Sequence, residues 1–257
     1  MSKDNLGDRM KSYYEDRTKT YLPRRSNVII RLDGCHFHTF TRGLIRPFDA
    51  IFTEAMVRTT EDLCKNIQGV KLGFVESDEI SLLLTDYDTL ETDAWFDNSV
   101  QKMCSVSASM AALYFNKHFM DIIDESLSIL KKEPARLTKL LEKVKLGAYF
   151  DARCFTLPTQ EVCNYFIWRQ NDTIRNSVSS VAQAHFSQKQ LNGKGQEMMK
   201  KMLLEELNID WEKDTTACWK YGVAIRKNAD GHWQKDMNIP KFTENRNYIE
   251  SCLPNED

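Results

Sequence analysis

Two carboxylates stand at the ends of apolar runs. In Asn27-Val28-Ile29-Ile30-Arg31-Leu32-Asp33-Gly34, the residues Val28, Ile30 and Leu32 alternate with Ile29, Arg31 and Asp33. A period of two predicts a β-strand. Asp33 falls where that strand runs out, and Gly34 lets the chain turn sharply against a ligand. A second pair of runs, 70–76 and 79–85, flanks Ser77-Asp78. This predicts a hairpin with a carboxylate at its tip. If the strands pair, Asp33 and Asp78 come side by side, and adjacent carboxylates repel unless a cation lies between them. Oxygen-only ligands suit Mg²⁺, which also takes substrate phosphates as ligands. The pattern points to metal-dependent nucleotide chemistry. A plainer reading competes with it, because Asp-Gly after a strand is a common turn and Ser-Asp-Glu a common surface string.

The stretch after Asp33 adds to the first reading. Backbone N–H groups from Gly34 through Cys35, His36 and Phe37 to His38 could form a nest for phosphate oxygens. Arg46, and a helix beginning near Asp49, would add positive potential. His36 and His38 read either as donors to phosphate or as half-buried loop histidines. Two carboxylates beside a phosphate cradle are what two-metal phosphoryl transfer requires.

The elements that must position these groups alternate between strand and helix. A helix over 4–20 carries Leu6, Met10, Tyr13 and Tyr14 on one side, and Leu22-Pro23 ends it before the first strand. Asp49 is a good N-cap for a helix with Phe52, Met56, Thr59 and Leu63 on one face. After the hairpin, 86–98 reads as an acidic loop. Residues 99–119 form a helix rich in small side chains, and 120–145 are amphipathic and split at Pro134. Arg153 to Leu157 reads as a strand, and Thr159 as the cap of a long helix. A Met-rich helix covers 194–207. Trp219–Arg226 and Trp233–Met237 read as a late hairpin, and a polar tail, expected to be partly disordered, covers 238–257. The fold class is α+β, with one domain over 1–237.

Composition sets wider bounds. The 257 residues are 42% hydrophobic with a net charge of −2, which suits a globular core and neither demands nor excludes nucleic acid. Seven scattered cysteines without a Cys-x-x-Cys pair argue against a disulfide scaffold and for a reducing cytosol. No apolar run is long enough to span a membrane, and Met1-Ser2-Lys3-Asp4-Asn5 does not read as a signal peptide.

An ordered set of motifs carries a family resemblance. Arg31-Leu32-Asp33-Gly34, Phe37-His38, Phe40, Arg46-Pro47, Asp49, Ser77-Asp78-Glu79, Phe150-Asp151-Ala152-Arg153 and Trp168-Arg169-Gln170-Asn171-Asp172 resemble the tRNA-histidine guanylyltransferase family from about residue 5 to 226. The resemblance implies a palm-like antiparallel sheet similar to nucleic-acid polymerases and nucleotide cyclases. It also implies nucleotide addition to the 5′ end of tRNA in the 3′-to-5′ direction. Asp33, the Gly34 carbonyl and Asp78 would hold two Mg²⁺ ions. Cys35, His36, Phe37 and His38, with Arg46 and Asp49, would hold the triphosphate of ATP, GTP or another NTP, and Ser77 and Glu79 would shape the pocket. Lys102 matches a lysine linked with activation of the tRNA 5′ end. Arg153, Arg169, Arg175, Asn176 and Lys189 would contact tRNA. The family resembles cytoplasmic homotetramers.

Departures from the pattern direct the expectation further. Eukaryotic members carry His-Ile-Asn-Asn-Leu-Tyr-Asn on the long helix, where this chain has Ile174-Arg175-Asn176-Ser177-Val178-Ser179-Ser180. A second activation lysine falls on Met199, one place before Lys200. These features resemble the bacterial and archaeal guanylyltransferase-like proteins, which implies templated repair of truncated tRNA 5′ ends. The rival expectations are guanylylation of tRNA-histidine itself, a cyclase on the same palm, and a tRNA-binding protein with a vestigial metal site.

Overall fold

The computed structural model describes residues 5–254. The start of the N-terminal helix and domain expectations (1–4) and the end of the tail (255–257) lie outside the described residues. The alternating runs form a six-stranded sheet in the order β4-β1-β3-β2-β5-β6. The strands are β1 (Asn27–Gly34), β2 (Val70–Glu76), β3 (Glu79–Leu84), β4 (Phe150–Leu157), β5 (Val223–Lys227) and β6 (Trp233–Asp236), and every pairing is antiparallel. The register places Asp33 opposite Glu79 on β3 and Asp151 on β4.

Alternation along the strands sends side chains to two different cores. Val28, Ile30 and Leu32 of β1, with Ile80 and Leu82 of β3, bury against α3 (Ala50–Asn66), α4 (Val100–Glu125) and α6 (Pro134–Leu146). Between α4 and α6 lies the one-turn α5 (Leu127–Leu130). Ile29, Leu72, Phe74 and Leu83 face the opposite side, under α7 (Thr159–His185). Arg31, Asp33, Glu76 and Glu79 share the parity of this second face. Its polar end is therefore the one that a carboxylate chemistry can use. A third cluster joins the later half of α7 to α8 (Gln188–Leu191), α9 (Gln196–Leu207) and α10 (Trp211–Asp214).

Several boundaries differ from the expectation. The N-terminal segment is α1 (Asn5–Met10) followed by a π turn and a 3-10 turn to Thr18, and Leu6, Met10, Tyr13 and Tyr14 are all exposed. Pro158, not Thr159, is the N-cap of α7. The segment expected to begin the late hairpin at Trp219 is instead the short helix α11 (Ala217–Tyr221), and β5 starts after Gly222, whose φ is +85°. The tail is not loose over 238–254. Ile239, Phe242 and Ile249, the last in α12 (Asn247–Glu250), are buried in the second core, and the Phe242 N–H donates to Gln170 Oε1 at 2.7 Å.

Candidate active site

The hairpin delivers Asp78 to the end of β1. The Gly34 N–H donates to the Asp78 carbonyl at 3.0 Å, and Ser77 sits at φ +46° in the turn between β2 and β3. Gly34 is required here, since a side chain on it would run into the Phe37 ring. Neither Asp33 nor Asp78 has an ion-pair partner among the described residues. Burial pushes the Asp78 carboxyl up from its ordinary range, and the Asp33 charge adds to the effect. A cation would reverse both penalties.

The donor set fits Mg²⁺. Among the described residues no third His, Cys or carboxylate side chain converges to complete an all-protein metal cage. Two carboxylates would leave the remaining positions to the Gly34 carbonyl, water and substrate oxygens, which is how Mg²⁺ is ordinarily held.

The loop after Gly34 is a cradle with some expected members turned elsewhere. The Cys35 N–H donates to the Tyr149 carbonyl at 2.9 Å, and its thiol lies 3.7 Å from Asp151. His36 adopts a left-handed conformation, φ +58°, and starts the single turn α2 (Phe37–Phe40). No acceptor among the described residues takes the N–H groups of His36, Phe37 or His38. Three free donors in a row suit an anion. The Phe37 side chain is core, packed with Phe40, Phe52, Phe115 and Phe150. It can therefore contribute only its N–H to a nucleotide.

Beyond the hairpin tip lies a cleft of about 570 Å³. Its lining includes His38, Arg42 and Arg46, Glu76 and Ser77 of the hairpin that carries Asp78, and Thr173, Asn176 and Ser180 of α7. Trp219 stacks on Phe48 at 4.8 Å at its margin. Cations, neutral donors and acceptors from α7 and an aromatic pair suit a nucleoside triphosphate.

Three expected site residues have other work. Asp49 caps α3, accepting from the N–H groups of Ile51 (3.0 Å), Phe52 (3.2 Å) and Ile45 (3.1 Å), with Arg136 at 3.7 Å. Its oxygens are occupied, and a carboxylate would repel phosphate. Arg169 is 7% exposed and cannot serve as an RNA contact. Its guanidinium lies 2.8 Å from Glu76, 2.6 Å from Glu79 and 2.7 Å from Asp172. Glu79 is thus tied to Arg169, with Arg31 at 3.9 Å, and braces the hairpin rather than facing a nucleotide.

Glu76, Asp172 and Thr173 complete this brace and were missed among the sequence candidates. Thr173 donates to the second Glu76 oxygen. Burial pushes the Glu76 carboxyl up to about 7, against the lowering pull of Thr173 and Arg169. The available signal was Arg169 and Asp172, three apart in a motif on one helix.

The remaining candidates lie on the surface. Lys102 is exposed on the first turn of α4, its ammonium 5.6 Å from the Phe96 ring, in a separate shallow cleft with Tyr21 and Arg24. That turn sits beside Cys154, which pairs with Ile30, so the structure does not gather Lys102 with Asp33. Arg153 is exposed beside Asp151, Arg175 is exposed but bonded to Asp172, and Lys189 is exposed on α8. Asn176 lines the main cleft, whereas Lys200 pairs with Glu212 and lies over Trp211.

Comparison with known proteins agrees with this geometry. The family model for tRNAHis guanylyltransferase (Thg1) matches residues 7–158. A protein of Acanthamoeba polyphaga mimivirus is 32% identical over 237 residues, spanning 86% of this chain and 77% of its own. A probable tRNA(His) guanylyltransferase of Dictyostelium discoideum is 24% identical over 83% of this chain and 80% of its own. Among solved structures, a bacterial tRNA(His) guanylyltransferase-like protein in complex with ATP superposes with a TM-score of 0.82 at 42% identity, covering 96% of this chain and 98% of that one. A bacterial guanylyltransferase-like protein in complex with GTP gives 0.73 at 38% identity, covering 96% and 99%. The antiparallel sheet is accordingly a palm, and the chain belongs to the tRNA-histidine guanylyltransferase family of nucleotidyltransferases.

Proposed function

We propose that this enzyme repairs truncated tRNA 5′ ends by templated 3′-to-5′ nucleotide addition. The observation that carries this reading is Ile174. Where the eukaryotic members have a histidine, this side chain is half-buried against the apolar cluster that contains Val178, Val181 and Leu203. Isoleucine offers no polar contact for selecting an end or a base, so base pairing with the opposite strand is left to select the incoming nucleotide.

Asp33 and Asp78, with the Gly34 carbonyl, would hold Mg²⁺, which when bound lowers the pKa of an attacking hydroxyl and neutralises triphosphate charge. The His36–His38 N–H groups, Arg42 and Arg46 would orient the triphosphate. A 5′-monophosphate oxygen attacks the α-phosphorus of ATP, and the bond to pyrophosphate breaks. The 3′-hydroxyl of the incoming nucleotide then attacks the 5′ phosphorus. Its proton passes to solvent and AMP leaves. A 5′-triphosphate end needs only the second step, with pyrophosphate leaving. All seven thiols are free, which suits work in a reducing cytosol.

The test supplies purified protein, Mg²⁺ and ATP with labelled tRNA lacking its first nucleotide, offering each NTP in turn. Extension by the nucleotide that pairs opposite the gap is the expected result. Absence of extension with every NTP overturns the proposal, and a cyclic product formed without tRNA supports a cyclase instead.

A further inference from the structure

The charge of this chain is unevenly distributed. The segment 127–147 holds Lys131, Lys132, Arg136, Lys139, Lys143 and Lys145 against only Glu133 and Glu142, four net positive charges in a chain whose whole net charge is −2. Nearly all of this segment is α5 and α6. Leu140 is fully buried, and Leu137 and Val144 pack on the same core, so the main apolar stripe of α6 is covered, with Leu141 and Leu146 left exposed. Lys131, Lys132, Lys139 and Lys145 remain exposed.

A lysine-rich solvent face is common on helices, but this one is joined to the active site. Lys143 Nζ donates to the Thr39 carbonyl at 3.2 Å, and Arg136 reaches Asp49 at 3.7 Å. Both contacts fasten α6 to the loop that bears exposed Arg42 and Arg46 at the cleft. At its C-terminal end, α6 leads through Gly147 to Tyr149. The Tyr149 carbonyl receives the Cys35 N–H at 2.9 Å, and its ring is 55% exposed and 6.1 Å from the His36 ring. A cationic band about 20 Å long, at about 1.5 Å per helical residue, thus ends in an exposed aromatic ring beside the Asp33–Gly34 strand end.

We infer that α6 is a rail for the phosphate backbone of the RNA substrate, with Tyr149 placed to stack an unpaired base near the reacting end. This rests on the 5′-end repair reading above. Cations in a row neutralise successive phosphates without reading sequence, and an exposed aromatic accepts any base face. A lipid surface fits less well, because an interfacial helix needs a continuous free apolar face, and α6 leaves only Leu141 and Leu146 exposed while Leu137, Leu140 and Val144 are packed on the core. The tRNA contacts expected from sequence lie instead on β4, α7 and α8.

The test is charge reversal of three exposed lysines, Lys132→Glu, Lys139→Glu and Lys145→Glu, in the full chain. Equilibrium binding of a 5′-truncated tRNA is measured across a salt series, with ATP binding and extension followed in parallel. The expected result is at least a ten-fold weaker tRNA affinity, a log–log salt dependence flatter by about two, and unchanged ATP binding. The milder Lys→Gln set should fall between the triple variant and the parent. If the triple variant binds tRNA as the parent does, with the same salt slope, the rail is overturned while repair stands. If the variant loses tRNA binding but the parent never extends the truncated end, the rail stands and the repair reading falls. A parent that does not bind tRNA overturns both.

Discussion

The guanidinium of Arg169 lies 2.8 Å from the Glu76 carboxylate, in the buried layer between α7 and the sheet. Arg169 also holds Glu79, so one side chain grips both ends of the Ser77–Asp78 turn. Arg169→Lys should fold, but a point-charge ammonium cannot serve three carboxylates in fixed directions. The turn should loosen, and a displacement of about 1 Å at Asp78 costs on the order of 100-fold in rate. The expected result is a large fall in kcat with tRNA affinity within two-fold of the parent. A tRNA Kd raised ten-fold with kcat intact would restore Arg169 as an RNA contact. Arg169→Ala would strand buried carboxylates and should cost about 3–5 kcal/mol of stability.

Asp33→Asn and Asp78→Asn test the proposed metal site without changing side-chain size. Each should abolish nucleotide addition and weaken Mn²⁺ binding as measured by electron paramagnetic resonance. Removing one of two like charges should leave the metal-free melting temperature unchanged or higher, since Asp33 disfavours the Asp78 charge. Near-normal turnover in either variant would remove that residue from the site.

Much of this site is written locally in the chain. Only one register buries Val28, Ile30 and Leu32 together, and that register sends Asp33 to the polar end of the other face. Asp49 was legible as an N-cap, and the same hydrogen bonds explain why it is not a phosphate ligand. Arg169 was illegible as a brace of the hairpin because Glu76 and Glu79 lie 93 and 90 residues away, and with Asp172 alone it reads as a surface pair on a helix. The tail was misread for a similar reason. Ile239, Phe242 and Ile249 are spaced as on one helical face, but only Asn247–Glu250 is helical, and their burial depends on surfaces made by distant β2 and α7.

Lys102→Ala examines whether activation uses the second cleft. With its ammonium over Phe96 rather than beside Asp33, Lys102 would act on the 5′ end or on ATP only as the RNA is brought in. Addition to 5′-monophosphate tRNA should slow at least ten-fold, while addition to 5′-triphosphate tRNA stays within three-fold. Equal losses on both substrates, in single-turnover assays, would assign Lys102 to general binding or folding.

Glu54 gives a pH prediction away from the site. Burial pushes its carboxyl up, but Arg58 at 2.9 Å and Lys235 at 3.0 Å together hold it below the ordinary carboxylate range. A depressed pKa contributes stability above the unfolded value and loses it as pH falls through the folded one. Glu54→Gln should therefore cost about 0.5–1 kcal/mol near neutrality, the scale for partly exposed pairs. Thermal melts of the two proteins should converge as pH drops below about 4. A constant difference across that range would show that shape, not charge, sets the effect.

The proposed repair activity makes Ile174 the residue to test for nucleotide choice. An imidazole can hydrogen-bond and carry charge near neutral pH, and isoleucine can do neither. Ile174 instead packs against the cluster of Val178, Val181 and Leu203, and its chain neighbours Thr173 and Asn176 line the cleft. With less contact from the protein, a mispaired nucleotide is rejected mainly because its 3′-hydroxyl is badly placed for attack. A tRNA missing its first nucleotide should be restored with whichever base pairs opposite the gap. An intact tRNA-histidine should receive an unpaired G opposite A much more slowly. Ile174→His should narrow that difference by improving the second reaction more than the first. The measurement is kcat/KM for both substrates at one salt concentration, because RNA affinity depends steeply on salt. A parent enzyme that prefers G opposite A, or that fills the gap equally with all four nucleotides, would return the chain to guanylylation of tRNA-histidine or to untemplated addition.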